Sequence, residues 1–108
     1  YVCGLNGWYD DKAGIEGYKA GVGDFCGMSE TSYKYKAGEE IEFTFGAIDG
    51  HCFMLVDGKL VAEHLDGILR LNKGYIGFSP YCTMLRISDI VIREISYVNN
   101  PQHYDPEF

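Results

Sequence analysis

The sequence lacks the features that mark metal-binding, nucleic-acid-binding and membrane-spanning proteins. None of the four cysteines forms a Cys-x-x-Cys pair and the three histidines are dispersed, so the ligand spacing of a zinc site is missing. No apolar run approaches the roughly 20 residues that span a bilayer, and none resembles a signal peptide. Basic residues number nine against 16 acidic ones, and the net charge of −7 disfavours nucleic acid and anionic membranes as partners.

The four cysteines, Cys3, Cys26, Cys52 and Cys82, leave two alternatives open. In a small chain of secreted type they would form one or two disulfides. Otherwise some of them would be buried free thiols, above all Cys52, which stands inside an apolar strand pattern. Their spacing does not distinguish these alternatives.

Apolar and aromatic residues are present in the amounts typical of a folded domain. They make up 46% and 15% of the 108 residues, which excludes a disordered chain and provides for a single core. Nine of the aromatic residues are tyrosines, whose rings pack while their hydroxyls form hydrogen bonds. This composition favours a sheet with a solvent-exposed surface that can bind a ligand.

The strongest secondary-structure pattern lies near the C-terminus. Apolar residues alternate with polar ones up to Ile87 and resume, shifted by one position, at Ile90. A β-bulge at 88–89 would return both apolar sets to one face. We therefore predict a long, bent strand over 84–95 whose inner face closes the core.

Other segments of the chain also carry strand and turn signals. Glycine recurs every two to seven residues over 1–31, which fits short strands with tight turns. Asp49-Gly50 and Asp57-Gly58 are typical hairpin turns. We predict at least six strands, including 40–46, 51–57, 60–64, 74–79 and 84–95. The predicted core contains Ile41, Phe43, Phe45, Met54, Val56, Ile76, Phe78, Leu85, Ile87, Ile90 and Ile92.

The hairpin CFMLVDGKLVAE (52–63) and the stretch GYIGFSPYCTMLRISDIVIREI (74–95) together resemble the C-terminal half of concanavalin A-like (laminin G-like) jelly-roll domains. The similarity is greatest to bacterial carbohydrate-handling members, including 3-keto-disaccharide hydrolase-like domains and carbohydrate-binding modules. It covers about residues 36–96. The resemblance implies an all-β, antiparallel β-sandwich over 1–96, abbreviated at its N-terminus, followed by a C-terminal tail or linker over 97–108.

Enzymes that resemble laminarinases have this fold and carry a Glu-x-Asp-x-Glu strand, so Glu40 and Glu42 are the candidate catalytic pair. A glycosidase needs two carboxylates that flank the scissile bond. The next position on the same face, Thr44, is not a carboxylate, and the strand comes too late in the chain. We therefore expect these glutamates to be solvated, and we predict no catalytic residue.

Residues of the type that bind sugars are concentrated in the N-terminal third. Sugar rings stack on exposed aromatic rings, while Asp, Asn or Gln bind the hydroxyl groups. The alternative is that Trp8, the one tryptophan, is a core residue. The predicted ligand-binding residues are Asn6, Trp8, Tyr9, Asp10, Tyr18, Asp24 and Tyr81.

The favoured function is a non-catalytic carbohydrate-binding module of a secreted polysaccharide-active system. The alternatives are the C-terminal half of a sugar-modifying glycoside hydrolase and a structural domain that associates with itself through a sheet edge. We expect no cofactor, with calcium at Asp10, Asp11 or Asp24 as the alternative. Because the chain starts at Tyr1 rather than Met, we expect a mature, trimmed or excised piece. With a polysaccharide as the expected partner, we expect the protein to be secreted or located at the cell surface.

Overall fold

The structure, a computed structural model, describes residues 1–5, 12–18, 25–67, 71, 73–80 and 82–96. Every regular element in these ranges is a β-strand, which confirms the predicted all-β class. Within the same ranges no helix is long and apolar enough to cross a membrane. The six strands form two antiparallel sheets of three strands each.

The first sheet is built from the glycine-rich N-terminal third. Its strands are β1 (Val2–Leu5), β2 (Lys12–Tyr18) and β3 (Phe25–Ser32), with β2 in the middle. The pairing of β2 with β3 shifts register between Glu16 and Tyr18. The prediction of short strands for this part of the chain is confirmed.

The second sheet follows the two Asp-Gly turns. Its strands are β4 (Phe43–Ile48), β5 (His51–Val56) and β6 (Lys59–Leu65), with β5 in the middle. These bounds differ by up to three residues from the predicted strands 40–46, 51–57 and 60–64. The central position of β5 agrees with its apolar residues on both faces.

The two hairpin turns of this sheet have the backbone that the sequence predicts. Asp49 and Gly50 have φ angles of 48° and 83°, and Asp57 and Gly58 have φ angles of 50° and 77°. Positive φ at both central residues defines a type I′ turn, the type that matches the right-handed twist of two-residue hairpins. The turns thereby set the registers of β4 with β5 and of β5 with β6.

The core lies where the two sheets face each other. Its buried residues form one cluster: Ala13 and Ile15 of β2, Cys52 and Met54 of β5, and Ala62 of β6. Alternation along β5 buries Cys52, Met54 and Val56 on one face, as a strand requires. The predicted core positions Met54 and Val56 are therefore correct.

The opposite face of the second sheet is covered by an aromatic ring. Phe53 of β5 pairs with Gly46 of β4, and the Phe53 ring occupies the space that a Gly46 side chain would fill. A ring lying over a glycine shields the strand backbone where no side chain covers it. His51 meets the same Phe53 ring edge-on, with 5.9 Å between ring centroids.

The predicted strands 74–79 and 84–95 are wrong, because neither stretch forms a ladder in the described part of the chain. A period-two pattern indicates which face is available for burial, but a strand also needs a partner backbone. Positive φ angles at Cys82 (52°) and Asp89 (56°) interrupt the extended backbone. The interruption at Asp89 falls at the position of the predicted bulge.

The core assignments in this region are consequently wrong as well. Ile90 is 60% exposed, and the predicted long strand does not close the core. Ile41 and Phe45, near and in β4, are half-buried. The predicted core residues that lie exposed are Phe43, Ile76, Phe78, Leu85, Ile87, Ile90 and Ile92.

Candidate functional site

One predicted ligand-binding residue, Tyr18, belongs to the described part of the chain. It is the last residue of β2, and its side chain is 46% exposed. The predicted ligand-binding residues that lie outside the described residues are Asn6, Trp8, Tyr9, Asp10, Asp24 and Tyr81. The geometry of the candidate site is therefore the geometry of Tyr18 and its surroundings.

Tyr18 forms a side-chain pair with Glu16 on the same strand. The Tyr18 hydroxyl donates a hydrogen bond to the Glu16 carboxylate, and this bond raises the pKa of the Tyr18 phenol. Residues two apart on a strand share a face, so the pair lies on the side of the first sheet opposite the buried Ala13 and Ile15. The outer face of this sheet thus carries an aromatic ring held beside a carboxylate.

Two segments of the chain that carry predicted ligand-binding residues are attached at opposite ends of β2. Segment 6–11 joins β1 to β2 at the Lys12 end, where Leu5 pairs with Ala13. Segment 19–24 joins β2 to β3 at the other end, where Tyr18 pairs with Phe25. Since a strand rises about 3.3 Å per residue, the two ends of β2 are about 20 Å apart.

A second polar group, which sequence reasoning missed, links the two sheets. The Tyr1 hydroxyl donates a 2.7 Å hydrogen bond to Oδ2 of Asp66, and the Leu71 backbone N–H donates one of 3.1 Å to the Tyr1 hydroxyl. Asp66 is 3% exposed, and its backbone N–H donates to the Gly50 carbonyl at 2.8 Å. Burial, and then the bond to Asp66, raise the pKa of Tyr1.

No local signal would have revealed this group, because 65 residues separate Tyr1 from Asp66. Its bonds satisfy a buried carboxylate, which would otherwise be costly to remove from water. The group ties the residue before β1 to the segment that follows β6.

His51 is the first residue of β5, directly after the Asp49-Gly50 turn, and it pairs with an acidic residue on the neighbouring strand. Its Nε2 is 3.3 Å from Oε1 of Glu63. Both side chains are partly exposed, so the pair contributes little to stability. This is a cross-strand pair on the second sheet rather than a nucleophile arrangement.

Glu40 and Glu42, the candidate catalytic pair, are exposed and precede β4. The Glu42 backbone N–H donates to Oδ1 of Asp57 at 2.9 Å, and the Asp57 N–H donates to the Glu42 carbonyl at the same distance. These bonds fix the entry into β4 against the second hairpin turn. Glu42 thus contributes to the structure through its backbone N–H and carbonyl groups.

Three of the cysteines, Cys3, Cys52 and Cys82, are thiols outside any disulfide. Burial raises the pKa of Cys3 to about 12. A thiol with a raised pKa is unreactive, since the thiolate is the nucleophile and the metal ligand. Of the three thiols Cys52 is the buried one, as the second alternative expected for it, whereas Cys3 is half-buried and Cys82 is exposed.

Among the residues that the structure describes, no three His, Cys, Asp or Glu side chains form a group able to hold a metal ion. The calcium candidates Asp10, Asp11 and Asp24 lie outside these residues.

Comparison of the chain with protein-family models, curated proteins and solved structures finds no match.

Proposed function

We propose that this chain is a non-catalytic carbohydrate-binding domain that works in a secreted polysaccharide-active system. The observation that carries the proposal is the Tyr18–Glu16 pair on the outer face of the first sheet. An exposed aromatic ring offers a surface for the C–H face of a sugar, and an adjacent carboxylate accepts hydrogen bonds from sugar hydroxyls. The hydrogen bond between the two side chains orients the ring before a ligand arrives, which lowers the entropic cost of binding.

The ligand in this proposal is a polymer rather than a single sugar. The predicted residues Trp8 and Tyr9 belong to the segment attached at one end of β2, and Tyr18 marks the other end. In this proposal the glycan follows the strand direction between these two points of attachment, which are about 20 Å apart. Several weak stacking contacts along one chain then add up to useful affinity.

The finer fold assignment, a concanavalin A-like jelly roll, is part of the same proposal. It is supported by the all-antiparallel pairing and by the single cluster to which both sheets contribute buried residues. It is also supported by the resemblance of 52–63 and 74–95 to carbohydrate-handling members of that class. In such a sandwich the outer face of a sheet is free to bind ligand.

Affinity electrophoresis through gels that contain plant or bacterial polysaccharides tests the proposal. We expect retardation by at least one polysaccharide, and loss of retardation in both Trp8→Ala and Tyr18→Ala. Tyr75→Ala is the matched control, because Tyr75 is a fully exposed tyrosine outside the first sheet. Mobility that no polysaccharide changes, or equal loss in all three variants, would contradict the proposal.

A second candidate function, self-association through a sheet edge, is favoured by a separate observation. Over 73–96 many large apolar side chains are exposed, among them Tyr75, Met84 and Ile90. Extensive exposed apolar surface marks protein interaction sites. Sedimentation velocity over a range of protein concentrations tests this candidate, since a clean monomer throughout would remove it.

A further inference from the structure

The Tyr18–Glu16 pair offers a ligand hydrogen-bond acceptors rather than donors. A tyrosine hydroxyl has one proton, and the Tyr18 hydroxyl donates it to the Glu16 carboxylate. An ionised carboxylate only accepts hydrogen bonds. The ligand groups that can bind to this pair are therefore donors, such as the hydroxyl or amino groups of a sugar.

The residue opposite Glu16 on the adjoining strand is apolar. Val2 of β1 pairs directly with Glu16, and directly opposite residues of two paired strands project on the same face. The Val2 side chain is 51% exposed, so it borders the carboxylate on the side of β1. Two uncharged side chains, Tyr18 and Val2, thus lie on either side of Glu16.

The N-terminal third of the chain, which carries most of the predicted ligand-binding residues, is acidic. Residues 1–31 contain two lysines and no arginine, and the whole chain has a net charge of −7. The acidic residues of this third are Asp10, Asp11, Glu16, Asp24 and Glu30. Even with each lysine paired to an acidic side chain, an excess of negative charge remains. The summed field of the chain therefore repels polyanions.

A carboxylate in the site discriminates between ligands by their charge. A hydrogen bond from a sugar hydroxyl to a carboxylate is charge-assisted and stronger than one between neutral groups. A second carboxylate or a sulfate about 4 Å away is repelled instead, which costs about fivefold in affinity in bulk water and more near a protein surface. Glu16 therefore favours sugars that present donors and disfavours sugars that carry anionic groups.

We propose that the glycan bound at Tyr18 and Glu16 carries no acidic groups, and that Glu16 excludes polyuronates and sulfated glycans from this site. The ligand class is a neutral or amino polysaccharide. The inference rests on the proposed function and names the substrate class of the same site. Tyr18 stacks on a sugar ring, Glu16 accepts a hydrogen bond from a hydroxyl or amino group, and Val2 contacts the C–H face.

Affinity electrophoresis tests the proposal with derivatives of each polysaccharide that retards the chain. Hydroxyethyl, aminoethyl and carboxymethyl derivatives of one backbone have substituents of similar size and different charge. At low ionic strength we expect the dissociation constant of the carboxymethyl derivative to exceed that of the hydroxyethyl derivative by about tenfold or more. Sodium chloride should reduce this difference, because salt screens solvent-exposed charges.

The aminoethyl derivative distinguishes the two members of the ligand class. Tighter binding than that of the hydroxyethyl derivative, lost in Glu16→Gln, identifies an amino glycan whose amine meets the carboxylate. Equal binding of these two derivatives identifies a neutral glycan that is recognised through its hydroxyl groups. Both results agree with a ligand that has no acidic groups.

Three variants assign the discrimination to Glu16. Glu16→Gln keeps the size and one acceptor oxygen but removes the charge, so the difference between the carboxymethyl and hydroxyethyl derivatives should fall below about threefold. Val2→Lys places a positive charge directly opposite Glu16 and should also narrow the difference. Glu40→Gln, the matched control, removes the same charge from an exposed residue before β4 and should leave the difference unchanged. All three positions are at least partly exposed, so the variants should fold.

Three results would overturn the proposal. Equal or tighter binding of the carboxymethyl derivative would reject this ligand class and leave glycan binding standing. A preference that Glu16→Gln and Glu40→Gln reduce equally would show that the overall charge, rather than Glu16, excludes acidic glycans. Retardation by no polysaccharide at all would overturn the proposed function and this inference with it.

Discussion

The Tyr1 hydroxyl and the Asp66 carboxylate, 2.7 Å apart, connect the residue that precedes β1 of one sheet to the residue that follows β6 of the other. Tyr1→Phe removes the hydroxyl but keeps the ring, which leaves a buried carboxylate without this donor. We expect the free energy of unfolding to fall by about 1–3 kcal/mol. Urea denaturation measures the loss. Tyr35→Phe, whose hydroxyl donates to the Glu39 carbonyl at an exposed site, serves as the control and should change stability by less than about 0.5 kcal/mol.

Two methionines in opposite environments test the position of the core. Met54 is 0% exposed in the cluster between the sheets, and Met84 is 95% exposed. Met54→Ala should lower the free energy of unfolding by about 2–5 kcal/mol, because it leaves a cavity. Met84→Ala should change it by less than about 0.5 kcal/mol in the monomer. Equal losses in the two variants would place residues 84–95 in the core and contradict the fold.

The contact between Gly46 and the Phe53 ring predicts a steric effect. Gly46→Ala introduces a Cβ atom into the space that the ring occupies, so the ring or the strand must shift. We expect a loss of about 1–3 kcal/mol in the free energy of unfolding. Adding Phe53→Leu should remove most of the extra cost, and a double-mutant cycle measures this coupling. Full additivity of the two substitutions would show that the ring does not lie over Gly46.

Stability at alkaline pH should report the half-buried Cys3 thiol. Its pKa rises from an ordinary value near 9 to about 12, so in this range the unfolded chain has lost a proton that the folded chain keeps. The free energy of unfolding therefore falls as pH rises above about 9, by at most roughly 1.4 kcal/mol per pH unit from this group. Cys3→Ser should flatten the slope between pH 9 and 10. An unchanged slope would mean that Cys3 is solvated.

The correctly predicted parts of the fold are those that depend on residues close together in the sequence. Asp49-Gly50 and Asp57-Gly58 accept positive φ angles, so the two hairpins were predictable from dipeptides and flanking alternation. In the glycine-rich third, short strands were predictable but their registers were not, because glycines carry no alternation. Tyr1 and Asp66 meet through the packing of two sheets, which no local pattern encodes.

The failed prediction over 84–95 has a different cause. The alternation there is real, and the backbone does change at Asp89, where the register shift was predicted. Alternation cannot say whether a partner strand is present, and in the described chain no partner pairs with this segment. Sequence patterns likewise do not show which side chains pair in the candidate site. Tyr18 was predicted from its residue type, but its hydrogen bond to Glu16 was not predicted.

The central claim, glycan binding on the first sheet, is tested most directly by titrating the fluorescence of the single tryptophan with soluble oligosaccharides of increasing length. The account predicts a saturable change in Trp8 emission that strengthens with oligosaccharide length and is lost in Tyr18→Ala, while the melting temperature of that variant stays near that of the parent. Emission that no oligosaccharide alters, in a chain that is folded by circular dichroism, would contradict the account.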